Sequence, residues 1–127
     1  DSRIFTLIPG DSTNESHLVK GGQGAIVYAK QEKTIDIQSV LCLPTELFKG
    51  INLAGVACPP GGYTAHQLLF DLGSANVTTI QRYDPESGSF DTAGFNTAGE
   101  IVGIDFPILT GEGYVVHMKE DIESFQP

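Results

Sequence analysis

The sequence predicts a mainly β fold, a compact antiparallel sandwich or partly closed barrel with one short helix at about residues 64–72. Three observations carry this expectation. The 127 residues include 15 glycines and 7 prolines but no tryptophan, so turns are frequent. β-Branched residues fall in short runs bounded by Gly, Pro, Asp and Ser, which is the rhythm of strands joined by tight turns. Only one stretch carries apolar residues at helical spacing. One domain (1–127) is expected, because a chain of this size buries roughly two-thirds of its unfolded surface around a single core. Two stacked units sharing that core would also fit.

Taken in order, Ile4 to Ile8 reads as a strand stopped by Pro9-Gly10, and Asp11 to Ser16 as a polar loop. Ala25 to Ala29 is apolar on both faces apart from the Tyr28 hydroxyl and reads as a strand inside a sheet. Thr34 to Leu43 suits a strand bending between two layers, turned by Pro44-Thr45-Glu46, and Ile51 to Ala57 is the next, ended by Cys58-Pro59-Pro60-Gly61-Gly62. The helix follows. Thr64 as N-cap with Gln67 three residues on makes a capping box, and Tyr63 before the cap can staple onto Leu68. Ala65, Leu68, Leu69 and Leu72 then form one apolar stripe, which Gly73 ends. Val77 to Tyr83 is a strand running into Asp84-Pro85-Glu86-Ser87-Gly88, whose early Pro and late Gly suit a hairpin, so Ser89-Phe90-Asp91 returns antiparallel. Short strands are expected around Ile101 to Ile104 and Phe106 to Leu109, and the last at Tyr114 to Met118.

One phrase occurs twice. Gly22-Gln23-Gly24-Ala25-Ile26-Val27-Tyr28-Ala29-Lys30 returns as Gly111-Glu112-Gly113-Tyr114-Val115-Val116-His117-Met118-Lys119. A phosphate cradle needs a third glycine and a helix behind it, whereas a β-branched run follows here. Gly22, Gly24, Gly111 and Gly113 are therefore read as structural glycines that allow positive φ at a turn or bulge before a strand, with Gln23 and Glu112 facing solvent. The two copies are expected at equivalent places in one sheet system, Tyr28 matching His117 and Ala25 matching Tyr114. On this reading a half-repeat (about 1–40) precedes a full repeat (about 41–125): either the chain is cut from a longer array, or the half-repeat completes the sheet of the full repeat as an edge-covering strand, within its own chain or on a neighbour.

Several motifs in order carry a resemblance. They are Gly50-Ile51-Asn52-Leu53-Ala54-Gly55, Tyr63-Thr64-Ala65 with Leu68-Leu69 and Leu72-Gly73, Ile80-Gln81-Arg82-Tyr83-Asp84-Pro85 with Gly88, Asp105-Phe106-Pro107-Ile108, and Gly111-Glu112-Gly113-Tyr114. The set resembles an uncharacterised repeat module of large secreted or surface-attached bacterial proteins. That module pairs a G-x-N-L-x-G strand with a G-E-G-Y-x-V-x-M strand and often carries a cysteine in each of the two places seen here. The resemblance spans Leu41 to Phe125 and implies location and architecture rather than chemistry, since the family has no settled activity.

Charge narrows the partners. A formal charge of −9, with seven Lys and Arg scattered singly, argues against nucleic acid, whose phosphates need a basic stripe. No apolar run approaches the roughly 20 residues that span a bilayer, and no basic-then-apolar signal opens the chain. Asp1 in first place is read as processing or excision. Cys42 and Cys58 would pair in an oxidising compartment, for about 3 kcal/mol in the chain-entropy account; otherwise they are two small buried thiols in neighbouring strands. Neither Cys-x-x-Cys nor His-x-His spacing accompanies them.

The ligand-binding candidates are Tyr63, Tyr83 and Tyr114 with Arg82. With Phe90 and Phe95, the tyrosines could stack a sugar ring, although a domain without Trp also needs them as core residues. Arg82 is expected to pair with Asp84 or Asp91, since a lone guanidinium must satisfy five donors. Asp84, Glu86 and Asp91 are a weak calcium candidate, off the spacing of the 12-residue calcium loop. His17 belongs to a polar loop, His66 to the exposed side of the helix and His117 to the repeated strand, so none marks a base. Ser87-Gly88-Ser89 is explained by the hairpin rather than by a nucleophile elbow. Asn14-Glu15-Ser16 and Asn76-Val77-Thr78 are formal glycosylation sequons that matter only in a eukaryotic secretory host. No cofactor is expected. The function predicted is a non-enzymatic, extracellular or cell-surface structural or adhesion module, contacting copies of itself or neighbouring repeats of a surface protein or filament. A carbohydrate-binding module is the alternative, and an enzyme of unknown type the third.

Overall fold

The fold is organised around a five-stranded antiparallel sheet. The structure, a computed structural model, describes residues 22–27, 30–32, 34 and 42–127. In chain order these form β1 (Thr45–Leu47), β2 (Gly50–Ala54), α1 (Ala65–Leu72), β3 (Val77–Asp84), β4 (Ser89–Phe95), β5 (Ile101–Gly103), β6 (Tyr114–Met118) and β7 (Ile122–Phe125). They make two antiparallel sheets, one ordered β2-β6-β3-β4-β5 and a two-stranded one of β1 and β7. The arrangement is sandwich-like. It does not close into a barrel, so that half of the expectation is set aside.

Alternation explains β6. Tyr114, Val116 and Met118 are buried while Val115 and His117 are half-buried on the other face, the period-2 signature of a sheet with one face packed. β6 meets β2 with Ala54 opposite Tyr114, and meets β3 with Ile80 opposite Val116. A bulge in β3 between Val77 and Thr79 shifts the register, which is how Val77 and Ile80, three positions apart, are both fully buried.

α1 covers the packed face. Both capping-box bonds form, Gln67 N–H donating to Thr64 Oγ1 at 3.4 Å and Thr64 N–H to Gln67 Oε1 at 2.9 Å. Ala65, Leu68, Leu69 and Leu72 are the buried stripe, and Gly73 stops the helix at φ 80° with its N–H on the Leu69 carbonyl. The hairpin is likewise local chemistry: Gly88, at φ 68°, donates to the Asp84 carbonyl at 2.9 Å, and Asp84 stands opposite Ser89. One contiguous cluster of buried side chains joins α1, the inner sheet face, Leu47 of β1, Phe106 and Ile108, with Ile122 and Phe125 of β7 against it. No helix among the described residues is long and apolar enough to cross a membrane.

Several expected elements are corrected. Thr45 belongs to β1, not to a turn, and the charged tail after Met118 is β7, so Tyr114–Met118 is not the last strand. Phe106 to Leu109 is no strand. It makes one bridge, Pro107 to Thr64, and crosses the N-terminus of α1, with Ala65 N–H on the Phe106 carbonyl and Ile108 N–H on that of Tyr63. The strands read at Ile4 to Ile8 and over most of Thr34 to Leu43, the loop at 11–16, His17 and Asn14 lie outside the described residues.

Cys42 and Cys58 are disulfide-bonded with Cα atoms 5.4 Å apart, tying the chain before β1 to the loop after β2. The bond thereby fastens the two-stranded sheet to the larger one. Replacing both cysteines by serine should lower the free energy of unfolding by about 3 kcal/mol, read as a fall in urea midpoint; an unchanged midpoint would contradict this role.

Candidate interaction surface

The two Gly-x-Gly phrases meet around the end of β2. Gln23 bridges Ala54 from the outer side, with Gly24 N–H donating to the Leu53 carbonyl and Gly55 N–H to that of Gly22, both at 2.9 Å. On the inner side Ala54 faces Tyr114, just after the second phrase. The glycines divide the work. Gly22 (φ 84°) and Gly111 (φ 86°) have the positive φ expected of them, whereas Gly24 is required by closeness, since a Cβ there would lie 3.2 Å from the Ala54 nitrogen and the Leu53 carbonyl carbon. Gly113 packs beside Gly24.

The copies are nevertheless not equivalent. Ala25, Ile26 and Val27 are exposed and outside any strand, with Ile26 at 63% and Val27 at 75%, so the interior strand expected there is corrected; Tyr28 and Ala29 lie outside the described residues. Tyr114, which the repeat matches to Ala25, is 1% exposed. Glu112 does not simply face solvent, because its Oε2 accepts the Tyr114 hydroxyl at 2.9 Å.

Three of the four ligand-binding candidates are committed inside the fold. Tyr114 also accepts Leu109 N–H at 2.8 Å, and its ring stacks on Phe106 with centroids 6.1 Å apart. Tyr63 is buried and donates to Asp71 Oδ2. Burial first, and then the Asp71 carboxylate, push the Tyr63 phenol above its ordinary range; burial does the same for Tyr114, with Glu112 adding to it. Arg82 points into the packed face, 2.8 Å from Asp91 Oδ2 and 5.1 Å above the Phe106 ring. The Asp91 hydrogen bond raises the guanidinium further still. Of its two expected partners, then, Asp91 is the one used. Only Tyr83 remains on the surface, edge-to-face with Phe90 at 5.4 Å.

Two of the three residues of the calcium candidate have contacts of their own. Asp91 is taken by Arg82, and Asp84 Oδ1 accepts Glu86 N–H at 3.0 Å, held below the ordinary carboxylate range by the Ser87 hydroxyl and then by that N–H. Among the described residues no three His, Cys, Asp or Glu side chains are grouped to hold a metal. His66 is half-buried rather than exposed, its backbone N–H on Asp105 Oδ1 at 3.0 Å, its Nδ1 3.8 Å from Oδ2, and its Nε2 buried without a partner among the described residues.

What sequence reasoning did not isolate is the second face of the large sheet. Cross-strand register aligns Ile51, His117, Thr79, Gly94 and Val102 in one row and Leu53, Val115, Gln81 and Thr92 in the next, with Tyr83 opposite Phe90 beyond them. No Asp, Glu, Lys or Arg stands in these rows. Every second residue of β3 from Thr79 is uncharged, a signal that the sequence did contain.

Two outcomes test the packed face. Unfolded tyrosines ionise near pH 10, whereas Tyr63 and Tyr114 do so at higher pH in the fold, so their contribution is complete below about pH 10 and is lost as pH rises beyond it. Tyr63→Phe and Tyr114→Phe should each flatten the alkaline fall in urea midpoint. Asp91→Ala should cost about 1.5–3 kcal/mol by stranding a charged donor, while Arg82→Met with Asp91→Leu recovers much of it, as read by a double-mutant unfolding cycle. Comparison of the chain with protein-family models, with curated proteins and with solved structures gives no match in any of the three.

Proposed function

We propose that the chain is a non-enzymatic extracellular module of a surface protein or filament, engaged with copies of itself or with neighbouring repeats along the outer edge of β2. One observation carries this reading: the same phrase flanks β2 on both sides, with Gln23 across from Ala54 on one edge and Tyr114 on the other. The outer edge at Ala54 is a seat held by the chain's own Gly22–Gly24 segment, and the corresponding segment of a second copy has the chemistry to replace it there. Main-chain hydrogen bonds supply the affinity of such strand addition, and the closeness required at Gly24 supplies selectivity. Ile26 and Val27, largely exposed after the seat, give the segment apolar surface to bury against a neighbour. The exposed disulfide and the charge of −9 accord with an oxidising, extracellular setting.

Sedimentation and light scattering across concentration test this. Mean mass should rise reversibly as protein approaches about 1 mM, with a contact burying more than about 1,000 Å² where it is specific. Gly24→Val should suppress the rise. A strict monomer throughout that range would overturn the reading.

A further inference from the structure

We infer that the open face of the five-stranded sheet binds a neutral oligosaccharide. The inference goes beyond assembly at the β2 edge and does not depend on it.

Charge is the first ground. The chain carries 7 basic and 16 acidic residues, yet none stands in the aligned rows of this face. A ligand there meets no ion pair, and a charged one would lose water without a partner. Acidic glycans are further disfavoured by the net charge of −9.

The second ground is where the polar groups sit. The edge strands hold apolar side chains, Ile51 and Leu53 on β2 and Val102 on β5, 40–59% exposed. Tyr83 (54%) and Phe90 (49%) close one end. The floor between them is polar and holds no Asp, Glu, Lys or Arg: His117 on β6, Thr79 and Gln81 on β3 and Thr92 on β4, all half-buried, with Val115 the apolar exception. Protein–protein interfaces have the reverse anatomy, an apolar centre within a polar rim. A second copy docked face to face would bury the amide, hydroxyl and imidazole groups at its driest point, where unpaired polar groups are costly. A sugar inverts that cost, laying hydroxyls over the floor and C–H faces over the rim.

The floor has the capacity to answer hydroxyls. Gln81 Nε2 donates to Thr92 Oγ1 at 3.1 Å, which orients the amide and leaves Gln81 Oε1 as an acceptor and the Thr92 hydroxyl proton as a donor. Thr79 and His117 make no side-chain hydrogen bond among the described residues. Adjacent strands place these groups about 4.8 Å apart, a separation comparable with the width of a pyranose ring. Gly94 keeps the floor low, because a Cβ there would lie 2.8 Å from the Thr79 methyl. The aromatic pair offers a stacking surface at the end of the row.

Amide NMR of the whole chain tests the site, titrated separately with cellohexaose, laminarihexaose, xylohexaose and mannohexaose, and with trigalacturonate as the charged probe. At least one neutral hexasaccharide should shift the amides around Thr79, Gln81, Thr92 and His117 at up to about 10 mM, and trigalacturonate should not. Gln81→Ala and Tyr83→Ala should each weaken binding about tenfold; Tyr83 is exposed, so the second variant keeps the test open if the first fails to fold. Three results would each overturn the inference: no shift with any neutral probe, shifts confined to another surface, or the same amides moving with protein concentration alone, which would make the face a docking site for a second copy.

Discussion

Burial of the Tyr114 phenol is the constraint on which most of this structure depends. A ring that is 1% exposed brings a hydroxyl with it, and that hydroxyl must be answered inside the fold. Leu109 N–H and the Glu112 carboxylate answer it, fixing the short loop before β6. The ring stacks on Phe106, whose carbonyl accepts the first N–H of α1, so the helix is located against the sheet through the same residue. Arg82 lies over the other partner of that stack and brings Asp91 of β4 with it. Across the sheet Ala54 stands opposite Tyr114, and Gln23 stands beyond Ala54. β2, β3, β4, α1 and the first Gly-x-Gly phrase are thus all positioned by reference to one side chain.

The two faces of the large sheet follow different rules. On the packed face, charge is admitted only where it is paired, as in Arg82 with Asp91 beside an aromatic ring. In the aligned rows of the open face, among the described residues, no Asp, Glu, Lys or Arg stands, although the chain as a whole carries −9. An antiparallel sheet with one face in water ordinarily places polar residues there. These rows keep hydrogen-bonding groups such as Gln81 and Thr92 beside apolar ones such as Leu53 and Val102. At Ala54 the outer edge of β2 is met by the chain's own Gly22–Gly24 segment, through backbone groups instead of side chains.

Much of this architecture is legible in the sequence wherever the determinant is local. The Thr64–Gln67 capping box, the Gly73 stop and the Asp84–Gly88 hairpin occupy the places read for them, because a cap or tight turn is satisfied by atoms a few residues away. β1 and β7 escaped notice for the opposite reason. Each has only three or four residues, too few to show a period, and each exists only because the fold brings the other beside it from a distant part of the chain. Phe106 to Leu109 shows the converse, since its apolar pattern reads as a strand but its burial is imposed by α1 crossing it. The aromatic candidates divide for the same reason: nothing local distinguishes Tyr63 and Tyr114, which turn inward, from Tyr83, which turns out.

By itself the sequence determined a turn-rich β fold with one capped helix, an acidic surface and a repeated Gly-x-Gly phrase, all of which follow from residue type and near-neighbour spacing. Whether Cys42 and Cys58 bond, which of Asp84 and Asp91 takes Arg82, and that the two phrases converge on opposite sides of Ala54 were decided only by the tertiary structure. Strand order and register bring together residues that no local period connects, and a one-residue change of register would exchange the packed face for the open one.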